Sequence, residues 1–330
     1  MVYQKLSNLL PLPAPLTLMI DPTNVCNFKC TFCPTGDPEL LQFVKRPRGM
    51  MALDLFQKII DDLTELPNPV TSLRLYKDGE PFANKNLVKM IRYTKEKKVA
   101  KEIYTISNGS LIDKKMAESL FNSGLDKLRV SIEHIHSEGY KQVTQNYENY
   151  GRIVSNLKYL FELKVAKKSK MHINAKIVNT GLKEHEIKQF KKTFSPISDS
   201  ISIETLMGWS YSEMKDFTLG HDVMHGIDGN SNLNDLRQVC PEPFKGLAVN
   251  FDGTVSLCCV DWSHQTLVGD LKRERFLDIW NGEKLKQFRL LHLRNERHKI
   301  APCENCHYMK GGTPLSDLDF LAKDLIKIYN

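Results

Sequence analysis

The chain has 330 residues, 41% apolar and 26% charged, which fits a globular protein with one sizeable core plus a smaller appendage and excludes a disordered one. Its formal charge of +7 is spread over short basic clusters (45–48, 97–101, 167–170 and 272–275) without interleaved aromatics, so nucleic acid is not an expected partner. No apolar run is long enough to span a membrane, and eight cysteines without secretory context predict metal ligands in a reducing cytoplasm rather than disulfides.

In chain order, residues 6–20 carry three prolines and no small-residue cleavage site, so they read as a lead-in to a first strand at 17–20. The stretch CNFKCTFC follows, placing Cys26, Cys30 and Cys33 at C-x-x-x-C-x-x-C spacing. Three thiols this close reach one inorganic centre but cannot fill four tetrahedral positions. A closed zinc site wants four ligands, whereas a [4Fe-4S] cube held by three cysteines leaves one iron open. A helical period at Leu55, Phe56, Ile59, Ile60 and Leu63 ends before Pro67. Strands at 71–76, 103–107, 127–132, 171–178 and 200–206 then alternate with helices at 87–96, from the Asp113 cap to Gly124, at 152–163 and at 183–194. Six such strands predict an α/β fold, a partial (β/α)6 parallel barrel short of the eight units that close. Residues 207–238 lack periodicity and read as a connection. Beyond them, 247–250 and 255–259 flank the hairpin signal Asp252-Gly253, a helix is expected at 276–291, and Leu318, Leu321, Leu325 and Ile326 share one face of a terminal helix. The expected division is a barrel over 1–206, a connecting segment over 207–239 and a cysteine-bearing region over 240–330.

The later strands alternate. Leu128, Val130 and Ile132 oppose Arg129, Ser131 and Glu133; Ile173, Ala175 and Ile177 oppose His172, Asn174 and Lys176; Ile201 and Ile203 oppose Ser202 and Glu204. With the apolar set against the helices, the polar set lines the lumen, and burying it dry would cost several kcal/mol per charge. The lumen is therefore expected to be a wet cavity for a polar ligand.

With Phe32 before the last cysteine and Pro34 after it, the cysteine loop resembles the cluster loop of radical S-adenosylmethionine (SAM) enzymes. The resemblance implies a [4Fe-4S] cluster on Cys26, Cys30 and Cys33 with SAM on its open iron. KDGEP at 77–81 resembles the family's GGEP-like segment, placing Gly79 and Glu80 at the SAM amino group; Asp78 departs from the usual first glycine. Ser107-Asn108-Gly109 looks like the TNG-type turn, and Ser131 and Glu133 stand where a ribose contact is expected. Lys176, in the lumen set, joins these as a cofactor contact. Cys240, Gly253 and Cys258 with the Cys303–Cys306 pair resemble the SPASM and twitch branch. No cysteine follows Cys306, which points to the shorter twitch form with one auxiliary [4Fe-4S] cluster on Cys240, Cys258, Cys303 and Cys306.

The resemblance implies an oxidoreductase that cleaves SAM to a 5'-deoxyadenosyl radical, with flavodoxin or ferredoxin as electron donor. Oxidation of a carbohydrate or aminocyclitol alcohol, free or phosphate- or nucleotide-linked, is the expected reaction on a small polar substrate, with Glu204 as a catalytic candidate and Lys45, Arg46 and Arg48 as nearby cations. Cys259, the one thiol beyond seven ligands, stands either as a buried hydrophobe or as the hydrogen donor of an epimerase. Peptide maturation is a further alternative, which the short lead-in disfavours, and a zinc-stabilised binding module is the non-enzymatic one.

Overall fold

In the computed structural model, residues 4–147, 149–211, 213–311 and 314–330 are described. The barrel strands are β1 (Thr17–Ile20), β2 (Val70–Arg74), β3 (Ala100–Ser107), β4 (Lys127–Ile132), β5 (His172–Asn179) and β6 (Ser200–Thr205). Between them lie α1 (Pro38–Val44), α2 (Leu53–Leu63), α3 (Leu87–Lys97), α4 (Lys114–Phe121), α5 (Ser137–Thr144), α6 (Tyr150–Ala166) and α7 (Glu184–Phe194). After the connection come α8 (Glu242–Lys245), β7 (Gly246–Val249), β8 (Thr254–Ser256), β9 (Leu267–Asp270), α9 (Phe276–Trp280), α10 (Glu283–Leu293), α11 (Ala301–Glu304) and α12 (Ala322–Tyr329). No helix among the described residues is long and apolar enough to cross a membrane.

All nine strands form one sheet in the order β6-β5-β4-β3-β2-β1-β7-β8-β9. The first seven are parallel: helices make the crossovers from β1 to β6, the long connection and α8 bring the chain back to β7, and the Asp252-Gly253 turn reverses it into β8. There Gly253 adopts φ +87° and Asp252 Oδ1 accepts from Thr254 N, which closes the turn. The apolar strand faces, including Leu128, Val130, Ile132, Ile173, Ala175 and Ile177, are fully buried against the helices.

The register stacks the lumen in rows. Met19, Arg74, Tyr104, Lys127 and His172 are mutual neighbours across five strands at the floor. Ile106, Arg129, Asn174 and Ser200 form the next row, then Ser131, Lys176 and Ser202, then Val178 and Glu204. The alternation read from the sequence is thus the one the sheet has.

The structure adds to and shifts several sequence expectations. Strand β9 and the short helices α1, α5, α8 and α11 have no counterpart in them. The strand expected at 255–259 is Thr254–Ser256, with a register shift against β9 between Val255 and Ser256. The single helix expected at 276–291 is broken into α9 and α10 at Asn281-Gly282. Residues 207–238 contain no helix or strand among those described, only a bridge between His225 and Asn232, but Tyr211 and Phe217 pack on Trp262 and Leu40, so the connection is anchored.

Candidate active site

The cysteine loop leaves β1 and is fixed from outside. Lys29 N and Thr31 N donate to Thr144 O and Val143 O at the end of α5, at 3.1 and 2.9 Å. Asn146 Nδ2 donates to Asn27 O at 2.8 Å, and Asn27 Nδ2 donates to Ser110 Oγ at 2.8 Å. Asn108 Nδ2 donates to Asn27 Oδ1 at 2.9 Å, so this side chain ties the turn after β3 to the cysteine loop. Asn27, Val143 and Thr144 are functional positions that the sequence reading missed. Backbone carbonyls at a helix end carry no side-chain signature, and only the Asn27–Asn108 pairing of polar residues at two rim turns could have suggested the contact.

Cys26, Cys30 and Cys33 line one side of a cavity of about 480 Å3. Phe32, Gly79, Glu80, Asn108, Ser131 and Glu133 line it too, as do Lys176, Glu204 and Cys259, so the sequence candidates for the first centre converge on one space. Burial pushes the Cys26 thiol up to about 12, and it raises Cys30 and Cys33 as well. A metal centre binding there must displace those protons.

Glu80 is 2% exposed and holds the rim together. Its Oε1 accepts from Phe82 N at 3.1 Å and Ser107 Oγ at 2.8 Å, and its Oε2 from Asn108 N at 2.8 Å. Burial raises its carboxyl and these donors oppose the rise, leaving it at about 7. One lone-pair position on Oε2 remains for a ligand ammonium. At Gly79 an added Cβ would lie 2.2 Å from Thr23 O and 2.7 Å from Val25 O, so the glycine is demanded by the approach to the cysteine loop itself.

Asp78 has its own use. Its Oδ2 meets Arg46 Nη1 and Lys77 Nζ at 2.7 Å each and His264 Nε2 at 3.0 Å. Despite burial, which raises it, Lys77 and Arg46 hold the Asp78 carboxyl well below its ordinary value. Arg46 Nη1 also donates to Trp262 O, and Lys77 Nζ to Asp261 O. The side chain at the departed glycine position therefore fastens the Lys77–Pro81 turn to the loop after Cys259. This corrects the reading of Lys45, Arg46 and Arg48 as substrate cations: Arg46 is buried in the ion pair, and Lys45 and Arg48 are exposed away from the cavity.

Glu204 is also committed. Oε1 pairs with Arg129 and Oε2 with Lys176 at 2.7 Å, and those cations hold its carboxyl below the usual value against burial. Glu133 makes no hydrogen bond or ion pair through its carboxylate among the described residues, and burial raises it.

Cys240, Cys258, Cys303 and Cys306 line a second pocket. The His292 side chain, 1% exposed with neither ring nitrogen hydrogen-bonded, also lines it. A sulfide-rich cube would give that ring an acceptor. Four sulfurs at 2.3 Å from one zinc stand about 3.8 Å apart. The only three His, Cys, Asp or Glu donors mutually within 4.8 Å among the described residues are His134, His136 and Glu186, so neither thiol set is contracted around a single ion. Both sets fit cubane clusters better than zinc. Although strand pairing has ended, Cys258 and Cys259 diverge: Cys258 lines the four-thiol pocket and Cys259 the lumen.

The profile of the radical SAM superfamily matches residues 20–194, and that of an iron-sulfur cluster-binding domain, SPASM, matches 240–307. Each region contains one thiol set, and together they imply SAM and [4Fe-4S] clusters as cofactors. A GTP 3',8-cyclase of Desulforamulus reducens is 21% identical over 226 residues, 67% of this chain and 65% of the cyclase. The cyclase of Alkaliphilus metalliredigens is 27% identical over 128 residues, 39% of this chain and 38% of the cyclase. The chain thus spans roughly a third to two thirds of the length of the cyclases it matches. Among solved structures, SuiB of Streptococcus suis bound to S-adenosylmethionine has a TM-score of 0.65 at 17% identity, covering 94% of this chain and 75% of SuiB. BtrN in complex with AdoMet and 2-DOIA has a TM-score of 0.56 at 16% identity, covering 92% and 98%. At those identities the likeness is one of fold. With the superfamily profile matching more than half of its length, over the barrel that carries the three-thiol loop, the chain belongs to the radical SAM superfamily.

Proposed function

We propose that the protein is a radical SAM oxidoreductase that removes hydrogen from a small polar substrate in the lumen, oxidising a carbohydrate or aminocyclitol alcohol to a ketone. The observation that carries this reading is one cavity, with charged and hydroxyl side chains set among apolar ones, bounded by the three-thiol loop and by Cys259, whose neighbour Cys258 faces the four-thiol pocket. SAM and the three-thiol cluster supply a 5'-deoxyadenosyl radical, with the electron coming from a flavodoxin or ferredoxin, and the four-thiol cluster supplies an electron acceptor.

The chain's own groups bind and orient. Glu80 and the Gly79 backbone receive the SAM ammonium, Phe32 and Asn108 shape its pocket, and Ser131 and Lys176 reach its ribose and adenine side. Arg129, fixed by Glu204, Asn174, Ser202 and Tyr104, keeps one N–H for a substrate hydroxyl. Glu133 is the group placed to take the hydroxyl proton; with SAM and both clusters bound, these would take up the hydrogen atom of the carbinol carbon and one electron, so that the alcohol is left as a C=O bond.

Reconstituted protein should hold about eight iron per chain and cleave SAM on reduction. Replacing Cys26, Cys30 and Cys33 with Ala should leave about four iron and abolish cleavage, whereas zinc without labile sulfide would end the reading.

The position of Cys259 favours a second reading, redox-neutral epimerisation, in which its S–H returns a hydrogen atom to the substrate radical and an external electron and proton restore the thiol. Once a substrate is found, Cys259→Ser separates the two. An epimerase should stop inverting and its wild-type product should gain one deuterium in heavy water; a dehydrogenase should retain turnover and give a product two hydrogens lighter.

A further inference from the structure

Most charged groups that line the lumen neutralise one another. Lys77 pairs with Asp78, and Arg129 and Lys176 share Glu204. Glu80 is occupied by three donors. Two cations at the floor stand apart from this pairing. The Arg74 side chain makes no hydrogen bond or ion pair among the described residues, and its Nε is buried without a partner. The one carboxylate that acts on it, after Tyr76, Cys259 and Tyr308, is Glu242, which is engaged by Lys245 at 2.8 Å. Lys127 makes no ion pair among the described residues, and its Nζ lies 5.2 Å from the centre of the Tyr104 ring. Arg74, Tyr104 and Lys127 are register neighbours on β2, β3 and β4, so both cations rise from one row into one space.

A guanidinium with an unused buried N–H is costly unless something completes it, and its planar fork suits an oxyanion. The free carboxylate of the lumen, Glu133, lies six residues further along β4 than Lys127, about 20 Å at strand rise, too far to serve. We infer that the lumen floor is an oxyanion subsite in which Arg74, assisted by Lys127, binds a phosphate or carboxylate group of the substrate and so holds the reacting carbon beside Cys259. The inference rests on the lumen being the substrate site. It narrows the substrate class to alcohols that carry a phosphoester or a carboxylate, and excludes neutral polyols and purely cationic aminocyclitols.

The test uses reconstituted protein with SAM bound, titrated with inorganic phosphate and, separately, with acetate, following ligand line widths by phosphorus and proton NMR. Wild type should bind at least one of them; tighter phosphate assigns a phosphoester and tighter acetate a carboxylate. Arg74→Gln should weaken the preferred anion at least tenfold and Lys127→Gln several-fold, in keeping with loss of a charge-assisted hydrogen bond. Lys45→Gln and Arg48→Gln, on the outer surface, should change nothing. Iron content and SAM affinity, measured on each variant, report on the radical SAM assignment separately: their loss in wild type would sink that assignment and not this one. Should Arg74→Gln fail to take up iron, Arg74→Lys and Lys127→Gln decide the matter. Absence of binding by wild type, or binding equal to wild type in both floor variants, overturns the inference.

Discussion

Glu80 shows how one side chain joins structure to chemistry. Its three donors come from two separate segments, Phe82 beside it and Ser107 with Asn108 at the end of β3, so the carboxylate is a staple before it is a ligand. Glu80→Ala should weaken SAM binding by about 1.5 to 3 kcal/mol, and should also lower stability by about 1 to 3 kcal/mol because buried donors lose their acceptor. Iron content should stay near wild type. The pH dependence has a definite sign. The folded carboxyl stands at about 7 against an ordinary 4.5, raised by burial, so folding favours the protonated form. The stability this contributes is complete below pH 4.5 and is lost as pH rises through 7. The thermal midpoint of SAM-free protein should therefore fall from pH 6 to 8 by more in wild type than in Glu80→Gln. Parallel curves for the two proteins would show that Glu80 does not titrate in this range.

At the scale of elements, the cysteine loop is held as a piece of a three-part joint made with the Lys77–Pro81 turn and the end of α5. Gly79 is the tightest point. A methyl group at 2.2 Å from Thr23 O cannot be accommodated by a flexible side chain, since the obstructing atoms are backbone of the segment entering the loop. Gly79→Ala should therefore cut iron from about eight to about four per chain while leaving the four-thiol cluster, a loss of SAM affinity alone being the result that speaks against the joint. The sequence disclosed one half of this joint. Cysteine spacing is local, and strand alternation follows from a two-residue period, so the seven ligand candidates and the lumen set were legible. The other half depends on tertiary contact. Nothing near Arg46 marks it for a buried ion pair with Asp78, the carbonyls of Val143 and Thr144 are anonymous, and Arg74 became visible as a lumen residue only through its register with Tyr104.

For the whole molecule, the parallel pairing of β7 with β1 decides how the two cluster regions relate. Division at 206 and 240 remains a proposal about folding units, but β1 and β7 pair in register from Leu18 beside Leu247 to Ile20 beside Val249 within one sheet. Such a pairing, more than 200 residues apart in sequence, leaves no local trace. Its consequence is mechanical: β1 leads directly into Cys26, and β7 leads through the hairpin to Cys258 and Cys259. The Asp78 cluster adds a second fastening between the same two regions, through Trp262, Asp261 and His264. Gly246 is the close contact of the pairing, where an added Cβ would stand 2.5 Å from Thr17 O. Gly246→Val should force β7 from β1 at a cost of about 1 to 3 kcal/mol or more, the range for overpacking a tight site. If one sheet positions both centres, this variant should lose iron from both, weaken SAM binding although Gly246 is remote from the cysteine loop, and destabilise the barrel. Cys303→Ala with Cys306→Ala should instead remove only the four-thiol cluster, about four iron, and leave SAM affinity at the wild-type value. Iron analysis and SAM titration on the two variants separate the cases. Full SAM affinity in Gly246→Val, with loss confined to the four-thiol cluster, would mean that the barrel holds its own centre independently of β7 and that the regions behave as separate units despite the shared sheet.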